Sequence, residues 1–360
     1  MPLRFTKKNI SNETFESCGV FDVDGDGVLD IVCGEWWYQG PEYKIRHAIG
    51  KVARYGEYFD DFSTIAMDIN GDGRLDFVTG GWWGNSIRWR ENPGHPGKEW
   101  PEHLIAEVGN VETTRAWDVD GDGELEIVPN TPGAGLSYYK LVRDAAGKGT
   151  GKFSRHVITD RAQGHGLGFG DVNGDGRGDF ILTWGWIEQT GNPANPWIIH
   201  EEFNLGPSAS IPVLVVDVNG DGLNDLIVGQ SHAYGLDWWE QKRDPAGKRT
   251  WIKHAIDPFN SQYHDLAWVD IDGDGKNEIV TGKRFRAHCG SDPGEFDDLG
   301  VYYFKWTGDH FVKQVIDYGP YGTGGGVGIH FQLADLRGTG RLDIIAPGKD
   351  GLTIYYNEGL

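Results

Sequence analysis

Three stretches of this sequence, GHGLGFGDVNGDG, YHDLAWVDIDGDG and GIHFQLADLRGTG, set a histidine shortly ahead of an acidic or glycine-rich loop, at His165, His264 and His330. Counting back six residues from the first aspartate of each such loop gives Glu16, Phe62, Glu112, His165, Ile211, His264 and Ile329, with Asp61 and His330 one step off the count. Imidazole titrates near neutrality and binds transition metals. Three imidazoles with Glu16 or Glu112 could therefore hold an ion such as Zn2+ and leave a position open for substrate. They could equally act as acid and base without a metal.

The loops carry a second chemistry. Six copies place oxygen side chains at positions 1, 3, 5 and 9, with glycine at 4 and 6 permitting a sharp reversal. The residues are Asp22, Asp24, Asp26 and Asp30; Asp68, Asn70, Asp72 and Asp76; Asp118, Asp120, Asp122 and Glu126. The remaining three sets are Asp171, Asn173, Asp175 and Asp179; Asp217, Asn219, Asp221 and Asp225; Asp270, Asp272, Asp274 and Glu278. Such sets suit a hard, oxygen-seeking cation, and Ca2+ in up to six loops is expected to be structural, pinning each turn and relieving carboxylate repulsion. An EF-hand is excluded, because its loop sits between helices and nothing here has helical periodicity. A seventh loop, DLRGTGRLD from Asp335 to Asp343, has Arg337 and Thr339 where acids belong and is expected to stay empty.

Successive loops start 46 to 65 residues apart, the length of a four-stranded propeller blade and too long for a solenoid turn. Within a copy, FDVDGDGVLDIVCG reads as strand, tight loop, strand; SIRWREN, LSYYKLV and LDWWEQK read as third strands; YKIRHAI, KFSRHVI and WIKHAI as fourth strands. The last copy ends at LTIYYN without a fourth strand, and the N-terminal LRFTKKNI resembles one. The expected fold is all-β: one seven-bladed β-propeller over residues 1–360, closed by its N-terminal strand so that no sheet edge is left at the seam.

The loops and their surroundings resemble the FG-GAP/VCBS propeller repeats of integrin heads and of several carbohydrate-active lyases, along essentially the whole chain. The phrase Trp89-Arg90-Glu91-Asn92-Pro93-Gly94, with a histidine six residues before an acidic loop, is more loosely similar to the propeller part of aldos-2-ulose dehydratases. The cupin domains of those enzymes have no counterpart in these residues. The resemblance implies the propeller fold and calcium in the loops, and only weakly a carbohydrate-directed activity.

In a propeller the innermost strands line a central channel, so the residues counted back from the loops should gather at one mouth. The second strands run to the same mouth and end at Glu35, Gly81, Thr131, Trp184, Gln230, Lys283 and Gly348, followed by Arg284 and Lys349. Trp36, Trp82, Trp184 and Trp186 offer flat faces for sugar rings beside Gln230, His232, Lys349 and Asp61, whereas Trp37 and Trp83 read as packing between blades. The stretches 186–203 and 285–298 are longer than their counterparts, as loops that shape a binding site often are.

Two functions compete. In a lyase or dehydratase, β-elimination on a keto-sugar or uronate-containing glycan needs a base, an acid and something to hold enolate charge. His165 or His264 would be the base, Tyr263 the acid, and Lys283, Arg284 or a metal on the histidines the charge stabiliser, with His330 completing the imidazole set. The carboxyl pair Glu16 and Glu112 keeps glycoside hydrolysis open. The alternative is a non-catalytic lectin or adhesion propeller, but a lectin tends to repeat one binding set per blade and here the set differs blade by blade.

A formal charge of -21 argues against a nucleic-acid partner. No membrane-spanning stretch is visible, and the residues after Met1 lack a signal-like apolar run, so the chain as written reads as cytoplasmic, or as secreted if a leader has been removed. Cys18, Cys33 and Cys289 are expected to be free thiols rather than a disulfide framework.

Overall fold

The computed structural model describes residues 3–192 and 195–360. Seven four-stranded antiparallel sheets follow one another in chain order and form a ring. The first blade comprises Gly19–Phe21, Asp30–Cys33, Trp36–Gln39 and Ile45–Ala48, and the third Thr113–Trp117, Glu126–Asn130, Leu136–Arg143 and Gly149–Thr159. In each, a short inner strand is followed by a wholly buried second strand, a third strand with buried aromatics, and an outer strand largely open to solvent. The seventh blade takes its outer strand from Arg4–Ser11, paired antiparallel with Leu352–Gly359, which fastens the ring as the sequence predicts.

Cores lie between blades. One joins Leu136, Tyr138, Phe180 and Leu182; another joins Val280, Tyr303, Ile344 and Tyr355. Trp37 packs in such a core with Phe77 and Trp100, as expected for an interblade residue. Inner strands approach closely enough that Gly168 bridges to Val213 of the next blade, where a Cβ would fall 2.3 Å from the Val213 carbonyl oxygen. Cys18 and Cys33 are buried free thiols and Cys289 is half-buried. Among the described residues no helix is long and apolar enough to cross a membrane.

One two-stranded element lies outside the blades: Arg54–Tyr55 pairs with Tyr58–Phe59 between the first and second blades. It carries Tyr55 and Tyr58 against Trp83. Pro193 and Ala194, within the long 186–203 stretch, lie outside the described residues. Ile198–His200 from that stretch supplies the outer strand of the fourth blade.

Candidate functional site

The inner strands deliver Glu112, His165 and His264 to one place at the channel mouth. One ligand atom from each of these, and one from His232, lie within 4.8 Å of one another. His264 Nε2 is 3.1 Å and His165 Nε2 3.4 Å from Glu112 Oε1. His232, from the turn after the second strand of the fifth blade, sets its Nε2 3.0 Å from that of His165. All four are nearly enclosed, with His264 fully buried.

Their partners bear on what they can hold. His165 Nδ1 is 2.7 Å from the Ala209 carbonyl, and His232 Nδ1 is 2.8 Å from Asp292 Oδ2. Each of these contacts places the proton on Nδ1, so the two Nε2 atoms meet lone pair to lone pair, an arrangement that requires a proton or a cation between them. Burial pushes His232 down to about 4 and His264 well below the ordinary imidazole value, which leaves both neutral and ligand-like at neutral pH. Burial alone would raise the Glu112 carboxyl, but His165 and His264 outweigh it and hold the group well below the usual range. His264 Nδ1 is buried without a partner. Three imidazoles and a carboxylate so arranged fit a transition metal.

Arg284, 2% exposed, lies beside the cluster. Its Nε donates to Glu16 Oε1 at 2.8 Å, and its Nη1, 3.6 Å from Glu112 Oε1, has no hydrogen-bond partner. A cavity of about 220 Å³ opens here, lined by Tyr58, Phe62, Trp82, Trp83, Glu112, Arg284 and His288. His288 stacks on His232 with ring centroids 3.9 Å apart, and its Nδ1 is 2.9 Å from Asp292 Oδ1. The long 285–298 stretch thus contributes a His–Asp pair to the rim. Sequence reasoning marked the stretch but neither residue; an acid and a histidine four apart in an overlong loop were the available signal.

Several predicted site residues lie elsewhere. His330 is outside the group, its Nδ1 3.3 Å from the Cys18 carbonyl, because it stands one residue out of phase with the inward-facing count. Asp61, also out of phase, accepts from Thr79 and Ser17 deep in the wall. Tyr263 points into an interblade core, where its hydroxyl donates to Asp257 at 2.7 Å, because successive strand residues face opposite ways. Lys283 bonds the Gly294 carbonyl and Ser261, tying down the long loop instead of facing the cavity.

Lys349 sits 3.8 Å over the Tyr58 ring and 4.0 Å from Glu16, with its ammonium donating to the Arg286 carbonyl. Of the tryptophans, Trp82 lines the cavity together with Trp83, which had read as interblade packing. Trp36 and Trp184 are covered by Arg46 and Arg161, and Trp186 is buried against His200. Gln230 is half-buried and pairs through its backbone with Ala209, whose carbonyl receives His165.

At the opposite face, the first aspartate of each acidic loop accepts backbone N–H groups from positions 4 and 6, as Asp22 does from Gly25 and Gly27 at 2.7 and 2.9 Å. The seventh loop keeps this shape through Asp335, while Arg337 pairs internally with Asp343 and Glu358. In the first loop, ligand atoms of Asp22, Asp24 and Asp30 gather within 4.8 Å, which fits a hard cation. Ligand atoms of Asp118, Asp120 and Asp122, and of Asp270, Asp272 and Glu278, gather equally closely, but in these two loops Lys140 and Lys305 each reach three of the acids.

These features define a seven-bladed β-propeller with acidic blade loops on one face and a histidine–carboxylate cluster at the mouth of the other. The FG-GAP-like repeat family model matches the chain over residues 68–128 and 217–281, so these two segments carry FG-GAP-like repeats. No curated protein matches the sequence. Among solved structures, the chain is similar to an Agrocybe aegerita lectin described as recognising non-reducing terminal N-acetylglucosamine (17% identity, 84% of this chain and 80% of that one, TM-score 0.50). It is also similar to the V. cholerae biofilm matrix protein Bap1 (12% identity, 99% and 91%, TM-score 0.52) and to BBS1N, solved with ARL6DN (9% identity, 99% and 96%, TM-score 0.54). At these identities the likeness is one of fold.

Proposed function

We propose that the protein is a carbohydrate-active lyase or dehydratase that performs β-elimination on a keto-sugar or uronate-containing glycan in the cavity at the channel mouth, with calcium in the acidic loops holding the blades. The observation that carries this reading is the convergence of Glu112, His165, His232 and His264 beside an aromatic-walled cavity lined in part by Arg284, whose Nη1 is buried without a hydrogen-bond partner.

A transition metal would be held by the three Nε2 atoms and Glu112, and when bound it supplies Lewis-acid polarisation of a carbonyl or carboxylate oxygen. The aromatic wall of Tyr58, Trp82 and Trp83 stacks the sugar ring and excludes water. Arg284 Nη1 donates to the oxygen that gains charge as the α-proton leaves, and its tie to Glu16 fixes its orientation. His288, with Nδ1 held by Asp292, presents Nε2 as the base. The proton moves from carbon to His288 Nε2, the C=C bond forms as the β C–O bond breaks, and the imidazole returns the proton to the leaving oxygen.

Two substitutions separate binding from chemistry. His165→Ala is expected to lose a metal other than calcium, present near one per chain in the native protein, together with turnover. His288→Ala is expected to retain the metal and lose about 10²–10⁴-fold in rate of C=C formation, followed by ultraviolet absorbance. Unchanged turnover in both variants removes the elimination reading.

A non-catalytic glycan- or protein-binding propeller is the second reading, supported by the lectin and matrix protein among the fold relatives. Glycan binding without product in the native protein would establish it.

A further inference from the structure

Within this chain, position 3 of the acidic loops varies together with one residue on the third strand of the same blade or, for Glu91, immediately after it. Where position 3 is Asn70, Asn173 or Asn219, the facing residue is Glu91, Glu188 or Glu240, with Oε1 at 3.4, 3.3 and 3.1 Å from the amide nitrogen. Where it is Asp24, the facing residue is the neutral Gln39, whose Nε2 is 3.0 Å away. Where it is Asp120 or Asp272, the facing residue is Lys140 or Lys305.

Position 9 follows the same division. Asp30, Asp76, Asp179 and Asp225 turn their second oxygen to a backbone N–H of the third-strand segment, from Gly40, Asn92, Gln189 and Gln241. Only the lysine loops have the longer glutamate, and Glu126 Oε1 and Glu278 Oε1 turn to the ammonium at 3.2 and 3.4 Å. Lys140 also lies 2.6 Å from Asp122 and bonds Asp120; Lys305 lies 2.7 Å from Asp274 and bonds Asp272.

An ammonium has three donors and here meets three carboxylates, so it stands among the oxygens a divalent ion would need. A calcium ion entering such a loop would have to expel the lysine or sit against its charge. Lys242, near the fifth loop, is a different case: it is 40% exposed, is shared between Glu240 and Asp221, and leaves Asp225 to backbone donors.

We infer that the loops at Asp118 and Asp270 carry their own cation, as Lys140 and Lys305, and take up no calcium. Calcium then enters only the loops at Asp22, Asp68, Asp171 and Asp217. This rests on the reading of the acidic loops as calcium sites.

Equilibrium dialysis of the full chain against radioactive calcium tests it. The expected result is about four ions per chain, with one more gained in Lys140→Met, one more in Lys305→Met, and two in the double variant. Six in the native chain, or no gain in the double variant, overturns the inference while leaving the calcium reading intact; a count of zero removes both. Should the variants fail to fold, anomalous scattering from calcium-soaked crystals of the native protein decides the matter. Peaks are expected in the four loops, and a peak at Asp118 or Asp270 overturns the proposal.

Discussion

The Nε2 atoms of His165 and His232 face each other at 3.0 Å, although one residue precedes an inner strand and the other sits on a turn of the next blade, 67 positions along the chain. Their Nδ1 atoms are each taken by an acceptor, Ala209 for one and Asp292 for the other. The pair is therefore aimed at a common point, and the proposed metal chemistry stands or falls with that aim.

Asp292 should matter to the metal although it belongs to a second circle of residues, since it orients His232 and also holds His288. Burial would raise its carboxyl, but the two imidazoles outweigh burial and hold it below the usual carboxylate range. Asp292→Asn is expected to weaken transition-metal binding about 10–100-fold in competition with a chelator, with the melting temperature little changed. Undiminished affinity would show that His232 is not a ligand.

Stability without calcium should fall as pH rises. Burial, the largest cause, raises Asp76 and Asp225 to about 6 and Asp179 to about 7. A carboxyl whose folded value exceeds its unfolded value contributes stability below the unfolded value, and that contribution is lost as pH rises through the folded one. In EDTA the melting temperature is expected to be higher near about pH 5 than near about pH 8, and calcium at the higher pH should restore it. A calcium-free protein that gains stability over this range would contradict the burial argument.

Arg115 braces the channel below the cluster. From the third blade it reaches the Asp265 carboxylate at 2.8 Å, the Ile329 carbonyl at 3.2 Å and the Ile211 carbonyl, touching three other blades. Burial raises Asp265 to about 6 even with this partner. Arg115→Met leaves a buried carboxylate uncompensated and should cost about 3–5 kcal/mol near neutral pH. The loss should shrink near about pH 5, where Asp265 takes up a proton, and denaturant titration at both pH values checks it. A loss equal at both would mean that the carbonyl contacts, and not the ion pair, carry the effect.

The propeller was legible because its signals are local. A loop such as that at Asp22 closes through its own backbone N–H groups, so seven copies announce seven strand pairs wherever they occur. Strand alternation also explains which mouth residues met. Glu16, Glu112, His165 and His264 share one phase of the count and surround Arg284, whereas Asp61, Tyr263 and His330 are each one step off and point into walls or cores. That rule could have been applied to the sequence. The roles of His232, His288 and Asp292 could not, because turns and long loops have no fixed phase.

By itself the sequence determined the repeat, the closing role of Arg4–Ser11 and the end of the channel at which acids and imidazoles collect, since these follow from hydrogen bonding and alternation within a few residues. Tertiary structure alone decided that His232 replaces His330 in the cluster, that Arg284 and not Lys283 faces the cavity, and that two of six acidic loops are entered by lysine. Each of these depends on where a side chain from one strand or loop meets another across space, a matter of ring closure and packing that no single repeat encodes.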